Sequence, residues 1–214
     1  MMNTILLLII GANILFSYKG FTDLYFFRKY DFHIGSIKAG EQIRMFSSAF
    51  LHADWMHLIF NMYTLYMFAN VVTSFLGSSS FLLIYIGSLL FGNLLTLYFH
   101  NRDNNYRAIG ASGAVTGVLY AAILLQPNMG IYLFFIPIAI PAYIFGIVYL
   151  LYSIYGMKSQ NDNIGHTAHF GGAVGGYAIT LLKMPQLFAE NPSMVMLLAI
   201  PIVVLFGMAK AGKI

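Results

Sequence analysis

The sequence predicts an all-α polytopic membrane protein with about seven membrane-spanning helices. Hydrophobic residues make up 59% of the 214 positions and charged residues only 8%, whereas soluble proteins contain about 45–50% apolar and about 25% charged residues. The few charges cluster between long apolar runs, several of which approach or exceed the roughly 18 residues that cross hydrocarbon as a helix. Such a chain cannot cover a water-facing surface, so its solvent is the lipid bilayer.

The apolar runs define the predicted spans: residues 3–18, 54–76, 80–100, 112–126, 131–155, 165–184 and 193–209. The first run lacks a preceding basic segment and a small-residue cleavage site, so we interpret it as a membrane helix and not as a signal peptide. Pro137 and Pro141 predict a kink in the fifth span. Because no disordered linker or repeat divides the chain, we expect one membrane domain over residues 1–214, with a core of about 1–184 and an extra helix of about 193–209.

Residues 19–51 form the one long connection, in which aromatic residues alternate with charged ones. Amphipathic aromatic side chains favour the headgroup zone, so this first loop is predicted to be folded and interfacial.

Charge and cysteine content exclude several classes of function. The formal charge of +4 comes from basic residues scattered through loops, and without a dense basic patch it does not indicate nucleic-acid binding. These residues are expected to contact lipid headgroups. The chain contains no cysteine, which excludes thiol catalysis, disulfides and cysteine-ligated metals.

Three predicted spans carry polar residues near their starts. His57 and Asn61 share one face of the second span, Ser112 begins the fourth, and His166 and His169 share a face of the sixth. Even-numbered spans run in the same direction, so these residues lie near one membrane face at similar depth. Polar groups in a bilayer are costly and usually face the bundle interior or water. We therefore expect these five side chains to converge.

Each of these residues also has a purely structural interpretation. Ser112 lies among small residues, Gly110, Gly113 and Gly117, that allow close helix packing, and Asn61 could be a hydrogen bond between helices. His166 and His169 could form a buried structural pair. It is the combination of the residues, at one depth, that favours a reaction site.

The chemistry that needs this combination is nucleophilic catalysis by serine. A serine hydroxyl requires a base, most often histidine, and Ser112 with His169 can take these roles. A tetrahedral oxyanion needs fixed donors, which His57, Asn61 and the Ser112 backbone N–H could supply. The acidic residues all lie in loops or at span edges and no His-Glu-x-x-His motif occurs, so zinc and aspartyl mechanisms are disfavoured and a dyad without a carboxylate is expected.

Three motifs resemble those of the rhomboid family of intramembrane serine proteases. Residues 110–113, Gly-Ala-Ser-Gly, are similar to the family's Gly-x-Ser-Gly nucleophile motif, and residues 168–172, Ala-His-Phe-Gly-Gly, to its Ala-His-x-x-Gly base motif. His52, His57 and Asn61 match the spacing of the family's second-helix residues. The resemblance covers the chain from the first loop to the sixth span and implies a six-helix bundle, to which this chain adds a seventh, C-terminal transmembrane helix.

The resemblance implies that Ser112 is the nucleophile, His169 the general base, and His57 with Asn61 the oxyanion donors. Supporting roles are expected for Gly110, Gly113, Gly172, His52 and His166. Substrates would be transmembrane segments of other membrane proteins, cut near the membrane surface. The resemblance implies no cofactor, no metal and no nucleic-acid partner, and a multi-pass location in a bacterial plasma membrane.

Two positions depart from the family pattern. The first loop often contains a Trp-Arg pair in the family, and here Ile43-Arg44 keeps only the arginine. Some members place a tyrosine that packs on the catalytic histidine four residues after the nucleophile, where this chain has Thr116. The group that orients His169 is therefore expected to be His166 or a neighbouring aromatic residue.

The charge distribution conflicts with the orientation that the resemblance implies. The family in bacteria opens its site to the extracytoplasmic side, and we expect the same here. Basic residues nevertheless crowd that face, which the positive-inside rule would assign to the cytoplasm: Lys19, Arg28, Lys29, Lys38, Arg44, Arg102, Arg107 and Lys158, with Lys210 and Lys213 after the seventh span.

Two other functions remain open from the sequence. An inactive rhomboid relative would bind client helices without cutting them. Such relatives typically lack one or both of the residues that correspond to Ser112 and His169, and both residues are present here. A transporter would use histidines as metal ligands, with candidates His52, His57, His166 and His169.

Overall fold

The structure is a computed structural model, and it describes residues 3–132, 138–159 and 164–214. Within these residues it confirms the all-α polytopic fold. The helices are α1 Thr4–Thr22, α2 Leu24–Tyr30, α3 Ile34–Lys38, α4 Arg44–Ser47, α5 Trp55–Phe99, α6 Ser112–Leu125, α7 Ala142–Ser159, α8 His166–Lys183, α9 Leu187–Glu190 and α10 Pro192–Lys210. By length and apolar composition, α1, α5 and α10 can cross a membrane.

The part of the chain that the structure describes contains two short antiparallel pairs of strands. In the first loop β1, Phe32–His33, pairs with β2, Arg107–Ala108, which precedes α6. After α6, β3, Gly130–Ile131, pairs with β4, Ile140–Pro141.

Helix α5 contains the second and third predicted spans as two arms, residues 55–76 and 78–99. Gly77, with φ 77° and ψ 169°, breaks the helix between them in a backbone conformation that favours glycine. A straight helix of 45 residues would separate its ends by about 67 Å, yet both ends contact one region. The His57 ring lies beside Gly110, and Asn93 donates to Ser48, whose carbonyl accepts the Gly110 N–H. The chain therefore reverses at Gly77, and the arms are antiparallel.

The core of the bundle is formed where α8 packs between α5 and α6. Small residues line this contact, so that backbones meet without intervening side chains. A methyl group at Gly172 would lie 1.9 Å from the Gly113 carbonyl oxygen, and one at Gly176 would lie 2.0 Å from the Gly117 carbonyl oxygen. The packing thus fixes the starts of α6 and α8 relative to each other.

The fifth predicted span was placed too early in the chain. Helix α7 begins at Ala142, directly after Pro141, and not at Ile131. The Ala142 N–H donates to the Met129 carbonyl and the Tyr143 N–H to the Pro127 carbonyl, which satisfies two of the donors that a helix start leaves without an intrahelical partner. Pro141 therefore precedes the helix and does not kink it; Pro137 lies outside the described residues.

The seventh predicted helix is present as α10, which packs on α7 and α8. Tyr177 on α8 donates its hydroxyl proton to the Val195 carbonyl at 2.8 Å, and the rings of Phe170 and Phe206 meet edge to face at 6.5 Å. Pro192 occupies the first turn of α10, where its missing N–H costs no hydrogen bond.

The first loop is folded around a buried carboxylate. Asp31, 1% exposed, accepts hydrogen bonds from Arg44 at 3.0 Å and from Arg107 at 2.7 Å. Phe32, Ile34 and Ile37 form a small apolar cluster beside it. Because Arg107 lies in β2, this network attaches the loop to the segment that leads into α6.

Candidate active site

Ser112 is the first residue of α6, and the turn before it is built by Gly110. The φ of Gly110 is +114°, which an L-residue adopts only with strain. A methyl group at this glycine would also lie 2.8 Å from the His57 ring. Glycine thus lets the chain turn into α6 while the imidazole of His57 approaches the same turn.

His57, on the first arm of α5, presents a donor to this turn. The Ala53 N–H donates to His57 Nδ1 at 3.4 Å, so the neutral ring carries its proton on Nε2. Nε2 is one of the two ring atoms that lie next to Gly110. An N–H group is therefore available beside the start of α6.

His52 is buried beneath the same turn and has a defined tautomer. The Ala111 N–H donates to His52 Nε2 at 3.4 Å, so the ring proton lies on Nδ1, which donates to Ser17 Oγ at 2.8 Å. The Ser17 hydroxyl donates in turn to the Phe50 carbonyl. Burial lowers the pKa of His52 to about 3, so the ring is neutral at physiological pH and holds the backbone directly before Ser112.

Asn61 lies one turn after His57 on the same helix face. Its side-chain nitrogen donates to the His57 carbonyl at 3.0 Å, and the residue is 7% exposed. An amide nitrogen carries two protons, so this intrahelical bond uses only one of them.

His169 lies in the first turn of α8 and contacts α7. Its Nδ1 lies 2.9 Å from the hydroxyl of Tyr149, and the two rings stack with centroids 6.0 Å apart. The Tyr149 hydroxyl lies 3.4 Å from Thr116 Oγ1, and Thr116 donates to the Ser112 carbonyl at 2.7 Å. Hydroxyl groups therefore connect the His169 ring to the backbone of Ser112.

His166 occupies a different place from His169. It is 4% exposed, meets Tyr152 edge to face at 5.2 Å, and fills the space that Gly156 leaves on α7, where a methyl group would lie 2.1 Å from its Nε2. Its ring centroid is 6.3 Å from that of His169. The contacts with Tyr152 and Gly156 indicate that His166 helps to pack α8 against α7.

Two cavities meet at Ser112. The first, of about 970 Å³, is lined by many polar side chains, among them His57, His166 and His169, by charged loop residues such as Arg102 and Asp103, and by some apolar residues such as Phe99 and Met157. The second, of about 740 Å³, lies between the first arm of α5 and α7 and is lined mainly by apolar side chains such as Phe60, Met67 and Phe145. Ser112 and Asn61 line both cavities.

Two parts of this arrangement lack a clear sequence signal. Tyr149 is one aromatic residue among many in an apolar segment, and only its spacing from Gly146 and Ser153, which are buried, places it on an inward face. Ser17, at the end of the first span, is equally inconspicuous. Both were found only through their contacts with histidines.

Comparison with known proteins adds evidence of another kind. Residues 39–186 match the Rhomboid domain family. The chain is 30% identical over 183 residues to the RHOMBOID-like protein 12, mitochondrial, of Arabidopsis thaliana. The aligned segment covers 78% of this chain and 54% of that protein. It is 33% identical over 147 residues to the putative rhomboid protease YdcA of Bacillus subtilis, covering 67% of this chain and 68% of that protein. It is 31% identical over 152 residues to the rhomboid protease GluP of Bacillus subtilis, covering 70% of this chain and 28% of that protein.

Proposed function

The chain belongs to the rhomboid family of membrane proteins, and on that premise we propose that it is an intramembrane serine protease whose nucleophile is Ser112 and whose general base is His169. The observation that carries the proposal is the position of Ser112 between a polar cavity and an apolar one. Hydrolysis of a peptide bond in a membrane segment requires water and an apolar chain to meet at one hydroxyl group.

The proposed reaction follows the general scheme of acyl transfer. Ser112 Oγ attacks the carbonyl carbon of the scissile bond while its proton passes to His169 Nε2. The tetrahedral intermediate collapses as the C–N bond breaks, and His169 returns the proton to the leaving amine. A water molecule from the polar cavity then attacks the acyl-serine ester, giving up a proton to His169. The second collapse breaks the ester C–O bond and releases the new carboxyl terminus, while His169 returns the proton to Ser112 Oγ.

The oxyanion of each intermediate needs donors that are in place before charge develops. His57 carries its ring proton on Nε2 beside the Gly110 turn, and the backbone N–H groups at the start of α6 have no intrahelical partners. The second amide proton of Asn61 is the remaining candidate. Together these groups support the assignment of His57 and Asn61 to transition-state stabilisation.

We assign Gly110, Gly113 and Gly172 to shaping the turn and the helix contact, and His52 and His166 to holding the α6 and α8 starts. The chain is an integral membrane protein, and we propose transmembrane segments as its substrates and a single membrane domain that includes α10. A bacterial plasma membrane stays a prediction, since relatives include proteins named as mitochondrial.

The alternatives have less support. An inactive relative would not need both Ser112 and His169. For a metal transporter, the described residues contain no group of three or more His, Cys, Asp or Glu side chains that could hold a metal ion.

A serine-reactive fluorophosphonate tests the proposal directly. We expect purified protein in detergent to form one adduct, located at Ser112 by mass spectrometry, and to cleave a reporter transmembrane substrate. Ser112→Ala should lose both signals, whereas the control Ser79→Ala, at an exposed position at the start of the second arm of α5, should keep both. An adduct elsewhere, or cleavage by Ser112→Ala at the normal rate, would remove the serine mechanism.

A further inference from the structure

We propose that Tyr149 is a positioning residue for His169. The Tyr149 hydroxyl belongs to a chain of hydrogen bonds that runs from His169 through Thr116 to the backbone carbonyl of Ser112. This inference rests on the proposed function for its catalytic meaning. Its structural content, the proton position on the His169 ring, can be measured independently of activity.

The direction of every hydrogen bond in the chain follows from its last member. The Ser112 carbonyl can only accept, so Thr116 donates to it at 2.7 Å. With its proton used, the Thr116 oxygen accepts from the Tyr149 hydroxyl at 3.4 Å. The Tyr149 oxygen then accepts from His169 Nδ1 at 2.9 Å. The neutral ring therefore carries its proton on Nδ1.

This tautomer is the one that a base acting through Nε2 requires. A neutral imidazole has one protonated nitrogen and one lone pair, so a proton on Nδ1 leaves the lone pair on Nε2. In serine proteases with a triad, a carboxylate fixes the same tautomer by accepting from Nδ1. At His169 the phenolic oxygen of Tyr149, 2.9 Å from Nδ1, takes that role.

The residue at position 116 explains why the tyrosine comes from another helix. Threonine is small and donates back within α6, a common bond for its hydroxyl, which leaves room for a ring from α7 above it. Tyr149 reaches this space because Gly146, one turn earlier, lets α7 approach α6: a methyl group there would lie 2.8 Å from Ile123. Thr116 and Gly146 together make Tyr149 available to His169.

The first test uses Ser112→Ala protein with ¹⁵N-labelled histidine rings, in which His169 is assigned by comparison with His169→Gln. We expect nitrogen shifts of the Nδ1-protonated tautomer, and a shift toward a tautomer mixture when Tyr149→Phe is added. The control Tyr155→Phe, on the exposed side of α7, should change nothing. An Nε2-protonated ring, or a ring insensitive to Tyr149→Phe, would overturn the inference whether or not the protein is a protease.

The second test measures turnover of the reporter substrate. Tyr149→Phe keeps the ring and removes only the hydroxyl group, so His169 Nδ1 loses its acceptor. We expect kcat to fall about three- to tenfold, the range for one lost hydrogen bond, with KM unchanged. Thr116→Val should act in the same direction, and the double variant should lose less than the product of the single effects, because both break one chain. Unchanged kcat in Tyr149→Phe, with normal Ser112 labelling of the parent, would refute the positioning role and leave the proposed function intact.

Discussion

The α-carbon of Gly172 packs against the backbone carbonyl of Gly113: a methyl group on Gly172 would lie 1.9 Å from that oxygen. Backbone atoms cannot rotate away as a side chain can, so the helices would have to separate. Because Gly113 follows Ser112 and Gly172 lies three residues after His169, this contact sets the separation of the two residues proposed to form the dyad.

We therefore expect Gly172→Ala to destabilise the protein by about 1–3 kcal/mol, the usual cost of overpacking, and to slow phosphonate labelling of Ser112. The measurement is thermal unfolding in detergent. Gly207→Ala is the matched control, since a methyl group there meets nothing within 4 Å. Equal effects at the two positions would contradict this account of the contact.

The buried Asp31 gives a prediction about the first loop. Asp31→Asn removes the charge that faces Arg44, which is 7% exposed, and an uncompensated buried charge typically costs about 3–5 kcal/mol. We expect the lower end of this range, because Glu41 still accepts from Arg44 at 2.7 Å.

The control for Asp31 is Asp23→Asn, which removes the exposed ion pair with Lys19 and retains a side chain that can cap α2. Exposed ion pairs contribute about 0–1 kcal/mol. Thermal unfolding of both variants tests the difference, and similar losses would show that the Asp31 network is not structurally important.

His52 predicts a loss of stability in acid. Its folded pKa of about 3 lies below the ordinary value of about 6.5, so the unfolded chain binds the proton more readily. The stabilisation is complete above about pH 6.5 and is lost as the pH falls toward 3. From pH 7 to pH 5 this one group should reduce the free energy of unfolding by about 2 kcal/mol.

His52→Gln isolates that contribution, since an amide can accept from Ala111 and donate to Ser17 but does not titrate. We expect its thermal stability to depend less on pH between 7 and 5 than that of the parent. Identical pH dependence would assign the acid sensitivity to other histidines.

Asn61→Ala tests the oxyanion assignment. A donor that acts mainly in the transition state affects turnover more than binding, and loss of such a donor costs about 10²–10³ where it acts alone. We expect a smaller fall in kcat here, because His57 and backbone N–H groups share the task. A change confined to KM would indicate that Asn61 only packs the helix.

The orientation of the chain can be measured because the native sequence has no cysteine. We expect Ala39→Cys, exposed in the first loop, to react with a membrane-impermeant maleimide in intact cells, and Ser79→Cys to be protected. The opposite pattern would place the polar cavity on the cytoplasmic face. Three of the basic residues on this face, Arg28, Arg44 and Arg107, pair with Asp31. The positive-inside rule counts Lys and Arg residues and gives acidic partners little weight, so the labelling experiment decides the orientation.

The spans and the convergence of the polar residues could be predicted because both follow from local patterns. The lengths of the apolar runs predicted the helices, except for the start of α7. The shared direction of the even-numbered spans predicted that Ser112 lies near His57 and His169. The Asp31 network was not predictable in this way, since hydropathy does not specify which loop charges pair across the sequence. Tyr149 was missed for a related reason: the start of α7 depends on hydrogen bonds to Pro127 and Met129, which no periodicity encodes.

The late position of α8 in the chain has a consequence for biosynthesis. Ser112 is synthesised 57 residues before His169, and until α8 is complete the small-residue faces that α5 and α6 present to α8 lack this partner. On the proposed function, a nascent or truncated chain that ends before α8 contains the proposed nucleophile without its proposed base, and we expect it to be inactive. Completion of α8 supplies both the proposed base and the Gly172–Gly113 contact that holds it in place, so the proposed site forms only in chains that extend through this helix.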